Sequence, residues 1–252
     1  MRMILAPAKR MYIDGYAEKP RELPALLDKT RRILECLRGM TPTELQSLWK
    51  CNDQIAAQNV ERLRGMDLEK NLTPAVLAYD GIAFKCMAPQ VFTRDQEAYV
   101  GERLRILSGF YGILRPFDGV TPYRLEMQAR LSLDGARDLY EFWGASLAEI
   151  LMAETDTIID LASKEYSKAI VPHLRDTRVI TCVFGELKAG KVVEKATLCK
   201  MARGEMVRYM AEINARRPED MREFDRYGFR YSPERSKENT YVFVRQGGKS
   251  HA

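Results

Sequence analysis

The sequence predicts a mixed α+β fold, one compact domain of irregular topology over residues 1–245 with a polar tail at 246–252. Three observations predict it. Segments with helical apolar spacing are interleaved with short apolar or β-branched runs. The strand-like runs do not alternate regularly with helices, which argues against a Rossmann fold. The 252 residues are 46% hydrophobic, enough for a full core, and show no internal repeat, low-complexity tract or long linker.

The elements follow in order. Residues 3–6 read as an opening strand ended by Pro7. Leu23, Leu26, Leu27, Ile33, Leu34 and Leu37 give a helical pattern over 20–38, stopped at Gly39. Thr41-Pro-Thr-Glu44 is a capping box with proline at the first helical position. Asn52 caps a third helix, closed at Gly65. Thr73-Pro74 opens a short helix to Tyr79, and 81–87 reads as a strand. Thr93 caps a helix running through Leu107, and 137–152 is helical. Residues 157–161 form a β-branched strand, and Ser163 caps a helix over 164–170. Residues 179–187 and 191–198 read as a hairpin around Lys188-Ala-Gly190. An amphipathic helix over 200–215, a further helix at 218–224 and closing strands at 229–231 and 240–245 complete the chain.

Composition excludes several chemistries. The five cysteines are odd in number and none stands in a CxxC pair, so neither a disulfide framework nor a zinc ribbon is expected. With only His173 and His251, histidine-based triads and multi-histidine metal sites drop out, and no metal or cofactor is expected. The net charge of +5 is mildly basic and suits an anionic partner. No apolar run is long enough for a signal peptide or a membrane span, so the expected location is the cytoplasm, with no membrane partner.

Four segments carry candidate chemistry. In Arg103-Leu-Arg-Ile-Leu-Ser-Gly109-Phe-Tyr-Gly112-Ile-Leu-Arg-Pro116, two glycines between helical patterns outline a helix–hairpin–helix. There the backbone amides of Ser108, Gly109, Tyr111 and Gly112, with Arg115, would meet a DNA phosphate. The Gly-x-x-Gly spacing is irregular for that motif, and a packed corner is the other reading. Tyr123, Arg124 and Glu126 sit close together after a turn, either as a buried network or as an anion site with a carboxylate beside it. Ser163 begins a helix after a strand, with Glu165 and Tyr166 next to it, which makes either an ordinary cap or an anion site. Lys200 and Arg203 share one helical face, and Gly204 within that helix marks close approach of a backbone or ligand. Lys9 follows the first strand as an isolated cation.

Taken together and in order, Ala-Pro-Ala-Lys9, Leu-Ala-Tyr-Asp-Gly81, the hairpin segment to Pro116, Pro-Tyr-Arg-Leu-Glu-Met127, Phe-Trp-Gly144, Leu-Ala-Ser-Lys-Glu-Tyr166 and Met-Ala-Arg-Gly204 resemble the YaaA family of bacterial peroxide-stress proteins over essentially the whole chain. The resemblance implies a cytoplasmic protein that limits iron-dependent oxidative damage to DNA. It also implies an unusual fold with a helix–hairpin–helix-like element and a basic cleft drawing on Lys9, Arg115, Arg124, Lys200 and Arg203. One departure is Ala6, where the family usually has serine.

Two functions follow as expectations. The first is a sequence-independent double-stranded DNA binder. The alternative is an enzyme of hydrolase or lyase type acting on a nucleotide, nucleoside or base, a small phosphate-bearing ligand in the same cleft. Glu126 or Glu165 would then serve as acid or base, with Tyr123 or Tyr166 assisting.

Overall fold

A computed structural model describes residues 1–13 and 19–246. Strand β1 (Arg2–Leu5) and the short β2 (Arg10–Met11) come first. Helices α1 (Leu27–Arg38), α2 (Pro42–Trp49) and α3 (Asp53–Arg64) follow. The capping box at Thr41 is formed: Thr41 Oγ1 accepts from the Glu44 amide at 3.3 Å, and the Glu44 carboxylate accepts from the Thr41 amide at 2.7 Å. Asn52 caps α3 by accepting from the Ile55 amide at 3.0 Å. Next come β3 (Thr73–Pro74), α4 (Ala75–Ala78), β4 (Tyr79–Asp80), α5 (Ile82–Met87) and α6 (Arg94–Arg103). The middle of the chain holds β5 (Leu104–Ser108), β6 (Gly112–Leu114), β7 (Gly119–Val120), α7 (Leu139–Trp143), α8 (Ser146–Glu154), β8 (Thr157–Leu161) and α9 (Lys164–Ser167). The hairpin β9 (Arg178–Lys188) and β10 (Lys191–Val193), the long α10 (Ala196–Glu212), β11 (Phe229–Tyr231) and β12 (Thr240–Gln246) end it.

These strands build one mixed sheet in the order β11-β12-β9-β8-β1-β5-β6, with β10 on β9. The five inner strands, from β12 to β5, run parallel; β11, β6 and β10 are antiparallel additions. Met3, Ile4 and Leu5 of β1 are all buried, the pattern of a strand covered on both faces. α10 packs on α5 and α6 and lies against β9. The close approach of α10 to α5 needs a bare backbone at Gly204, where an added Cβ would sit 1.9 Å from the Ala83 carbonyl oxygen.

The mixed class and the single domain are as expected, while several local readings are corrected. Residues 104–108 are a strand, not the end of a helix, because a central strand buried throughout loses the alternation that marks strands and mimics helical spacing. Residues 82–87 are a helix, with Phe84 and Met87 buried three apart and Ile82 exposed. The expected helix over 137–152 is two helices, broken where Gly144 takes a φ of +50°. The long helix starts at Ala196, so β10 stops at Val193. Thr73 and Pro74 pair with β7 before their helix begins. Gln246 closes β12, and the rest of the expected tail lies outside the described residues.

The helix–hairpin–helix is the largest correction. Residues 108–115 are the turn and second strand of a β-hairpin, with Ser108 opposite Gly112 and Ile106 opposite Leu114. Phe110 and Tyr111 are wholly buried. The Tyr111 amide, one of those expected to meet a phosphate, already donates to Ser108 Oγ at 2.8 Å, as does the neighbouring Phe110 amide at 3.1 Å. Gly109 is pressed against the Leu125 backbone, and its carbonyl accepts from the Trp143 indole at 3.1 Å. The glycines are there for packing, Gly109 against the Leu125–Met127 backbone and Gly112 against Trp143 and Leu147.

Candidate anion-binding cavity

Parallel strands leave their carboxyl ends open to a crevice, the usual place for a ligand in such sheets. Here the chain leaves β1 through Ala6-Pro-Ala-Lys9 and leaves β8 through Ala162, Ser163 and α9. Between these exits lies a cavity of about 500 Å³. Its remaining walls come from Asp80–Lys85, from Tyr123–Glu126 and from Lys200 and Arg203 on α10. Two close approaches at glycines fix the spacing: an added Cβ on Gly81 would lie 2.6 Å from Ala8 Cβ, and Gly204 seats α10 on Ala83.

Lys9, Arg124, Ser163, Lys200, Arg203, Glu126, Glu165, Tyr123 and Tyr166, drawn from separated parts of the sequence, therefore meet in one place. Arg10, Asp80, Ile82 and Lys85 join them and were missed. Asp80-Gly81 was visible as part of a block, but nothing in its neighbours signals that β4 would pair with β2 and carry it here. Among the described residues the lining holds six cations (Lys9, Arg10, Lys85, Arg124, Lys200, Arg203) against three carboxylates (Asp80, Glu126, Glu165), a net of +3.

The charges are unevenly matched. Asp80 binds Arg10 and Lys85, each at 3.0 Å. Glu126 pairs with Lys9 at 2.9 Å and stands 3.9 Å from Arg124. Among the described residues, Lys200 and Arg203 have no carboxylate within ion-pair distance, and Arg124 and Arg203 each keep a buried Nε–H without an acceptor. A buried donor without a partner is uncommon in native proteins. Both residues line the cavity, and a guanidinium can donate two parallel hydrogen bonds to the oxygens of an anion.

The acid–base groups differ in surroundings. Burial raises the Glu165 carboxyl from its ordinary value; the Glu126 charge adds to this, and the Gln128 amide at 3.2 Å and Lys9 oppose it. Burial pushes the Tyr123 phenol up to about 12, and Tyr166 well above the ordinary phenol range. Both phenols keep their protons at neutral pH. Ser163 makes no side-chain capping bond, and α9 is a single turn instead of running to Ile170. Asp160 takes the local polar bonds instead, accepting from the Ala162 amide and the Ser167 hydroxyl, each at 2.9 Å.

The hairpin residues do not belong to this site. Ser108, Gly109, Tyr111 and Gly112 are buried behind the wall. Arg115 is at the other end of the sheet, because β6 runs back antiparallel to the start of β5. It pairs with Glu22 there and lines a separate cavity of about 290 Å³ with Arg2, Arg105 and Asp118. Among the described residues no group of three or more His, Cys, Asp or Glu side chains is arranged to hold a metal ion. No helix among them is long and apolar enough to cross a membrane.

Comparison with known proteins gives a consistent picture. A family model described as peroxide stress protein YaaA matches residues 1–235. A UPF0246 protein of Agathobacter rectalis is 50% identical over 247 residues, 98% of this chain and 99% of that one. One from Lachnoclostridium phytofermentans is 50% identical over 246 residues, 97% and 96% of the two chains. One from Pediococcus pentosaceus is 46% identical over 246 residues, 97% and 98%.

Proposed function

Because this chain belongs to the peroxide stress protein YaaA family, we propose that its role in that stress runs through a phosphate-bearing, nucleotide-class ligand held in the cavity at the carboxyl ends of β1 and β8. The observation that carries this reading is the net positive charge of the cavity lining, in which Lys200 and Arg203 have no carboxylate within ion-pair distance among the described residues. A volume of about 500 Å³ suits one nucleotide and is far too small for a duplex. The exposed Ile82 at the wall gives a base an apolar surface.

Two carboxyl groups in different environments are what acid–base cleavage requires. Glu165, whose carboxyl burial shifts upward, is assigned as general acid, and Glu126, paired with Lys9, as the group that orients or deprotonates water. The reaction class is hydrolysis or elimination on the nucleotide. In the test, wild type is titrated calorimetrically with the four common nucleoside 5′-monophosphates, and products are followed by chromatography. Arg203→Ala is expected to weaken binding about tenfold or more, as expected for loss of a charge-assisted contact. Glu165→Gln is expected to retain binding and lose turnover. Absence of binding by wild type at millimolar nucleotide would overturn the proposal.

A second reading, sequence-independent binding of double-stranded DNA, is favoured by one observation. Lys9, Arg10, Lys85 and Lys200 are all exposed on the cavity rim, where they would meet a phosphate backbone. In that reading the rim holds the strand and the cavity receives one nucleotide from it. Protection of DNA against iron-dependent oxidation would follow from occupying the DNA, and direct iron binding is not invoked.

A further inference from the structure

Three hydroxyl groups form a buried chain at the cavity wall. The Tyr79 and Tyr123 hydroxyl oxygens are 2.8 Å apart, and that of Tyr123 is 2.7 Å from Ser108 Oγ. Ser108 Oγ also accepts from the Phe110 and Tyr111 amides. A serine hydroxyl has two lone pairs and one proton. Both lone pairs are occupied by amides, so the Ser108 proton goes to Tyr123.

The remaining polarity can be counted. Three hydroxyl protons serve two oxygen–oxygen links, so one proton is left over, on Tyr79 or on Tyr123. Tyr79 is buried outside the cavity wall, between the Phe84 and Tyr123 rings, where an unpaired proton is costly. Tyr123 lines the cavity. The favoured arrangement has Tyr79 donate to Tyr123, whose own proton then faces the cavity.

We infer that Tyr123 is a ligand-contacting hydrogen-bond donor, set by Ser108 and Tyr79 to meet an oxygen or unprotonated ring nitrogen of the bound molecule. The inference rests on the nucleotide reading of the cavity and names what that ligand must present beside its phosphate. Two hydrogen bonds donated into the phenol oxygen polarise its O–H and strengthen the third. Stacking on Phe110, at 5.0 Å between ring centroids, fixes the ring. Because the phenol keeps its proton at neutral pH, it acts as a donor and not as a base. An analogue without an acceptor at this depth leaves the proton unpaired and is rejected strongly. Ser108 and Tyr79 are positioning residues, and this gives the buried hairpin serine a role at the site after all.

The experiment titrates wild type, Tyr123→Phe and Tyr79→Phe with the nucleoside monophosphate that wild type binds, with melting curves as a control of folding. Tyr123→Phe is expected to weaken binding about tenfold or more. Tyr79→Phe is expected to stay within about threefold of wild type, because the Tyr123 proton still faces the cavity. If Tyr123 instead donated to Tyr79, this second variant would free the proton and tighten binding, which would overturn the inference. Unchanged binding by a folded Tyr123→Phe would overturn it while leaving the nucleotide reading intact. Failure of wild type to bind any of the four nucleotides would remove both.

Discussion

Asp118 is 3% exposed, and burial raises its carboxyl to about 7, against the Arg115 amide at 2.8 Å and the charges of Arg115 and Arg105; the Glu22 charge adds to the rise. In the unfolded chain the same carboxyl titrates near its ordinary value of 3.8. Between those two values the folded state holds a proton that the unfolded state has released, so stability falls as pH rises through this window. The loss is roughly 4 kcal/mol at most, taking about 1.4 kcal/mol per pH unit. Asp118→Asn is expected to flatten the pH dependence of the melting temperature between about pH 4 and 7. An unchanged profile would show that Asp118 is ionised when folded. None of this was legible in the sequence, where Asp118-Gly119 reads only as a turn. The same holds for Lys9, an isolated lysine whose partner Glu126 lies more than a hundred residues away. Glu126, Glu165, Tyr123 and Tyr166 were legible as residue types able to do acid–base work, but not their distinct surroundings.

Gly204 shows how an element's placement decides the site. Its substitution by alanine would put a methyl carbon 1.9 Å from the Ala83 carbonyl oxygen, and neither backbone can yield without parting α10 from α5. Gly204→Ala is expected to cost about 2–4 kcal/mol in chemical denaturation and to weaken nucleotide binding, since Arg203 moves with the helix. An alanine variant of wild-type stability would mean that the two helices are not in this contact. At this scale the sequence was readable wherever a local device marks an end. Thr41 with Glu44, Asn52 and the turn at Lys188-Ala-Gly190 all stand where they were expected. It was unreadable where tertiary burial overrides pattern. Leu104 to Ser108 is buried on both faces, so its leucines match helical spacing by accident, and the false helix produced a false DNA-binding hairpin. Six residues at 82–87 are likewise too few for their period to declare itself.

At the scale of the molecule, the sheet separates its two basic ends. The cavity rim is at the carboxyl ends of the parallel strands, and Arg115 at the amino ends. On the duplex reading proposed for the rim, salt-dependent affinity is therefore expected to be indifferent to Arg115→Glu. Replacing Lys9 and Lys200 together by glutamate is expected to weaken it and to flatten the plot of log affinity against log salt by about 2, near 0.9 per phosphate contact. Strong loss from the Arg115 variant would move the DNA surface to the other end. The mixed class was legible because helical and strand patterns occur along the whole chain, whereas strand order depends on pairings far apart in sequence. β1 shows this most plainly. It sits at the middle of the sheet, yet both its partners, β5 and β8, are made roughly 100 and 155 residues after it. On a ribosome adding about 5–20 residues each second, Met3-Ile-Leu5 waits several seconds or more with no strand beside it. The cavity waits longer, because its last wall arrives with Arg203. A nascent chain is thus unable to hold ligand until Arg203 has been synthesised, about 200 residues after Met3.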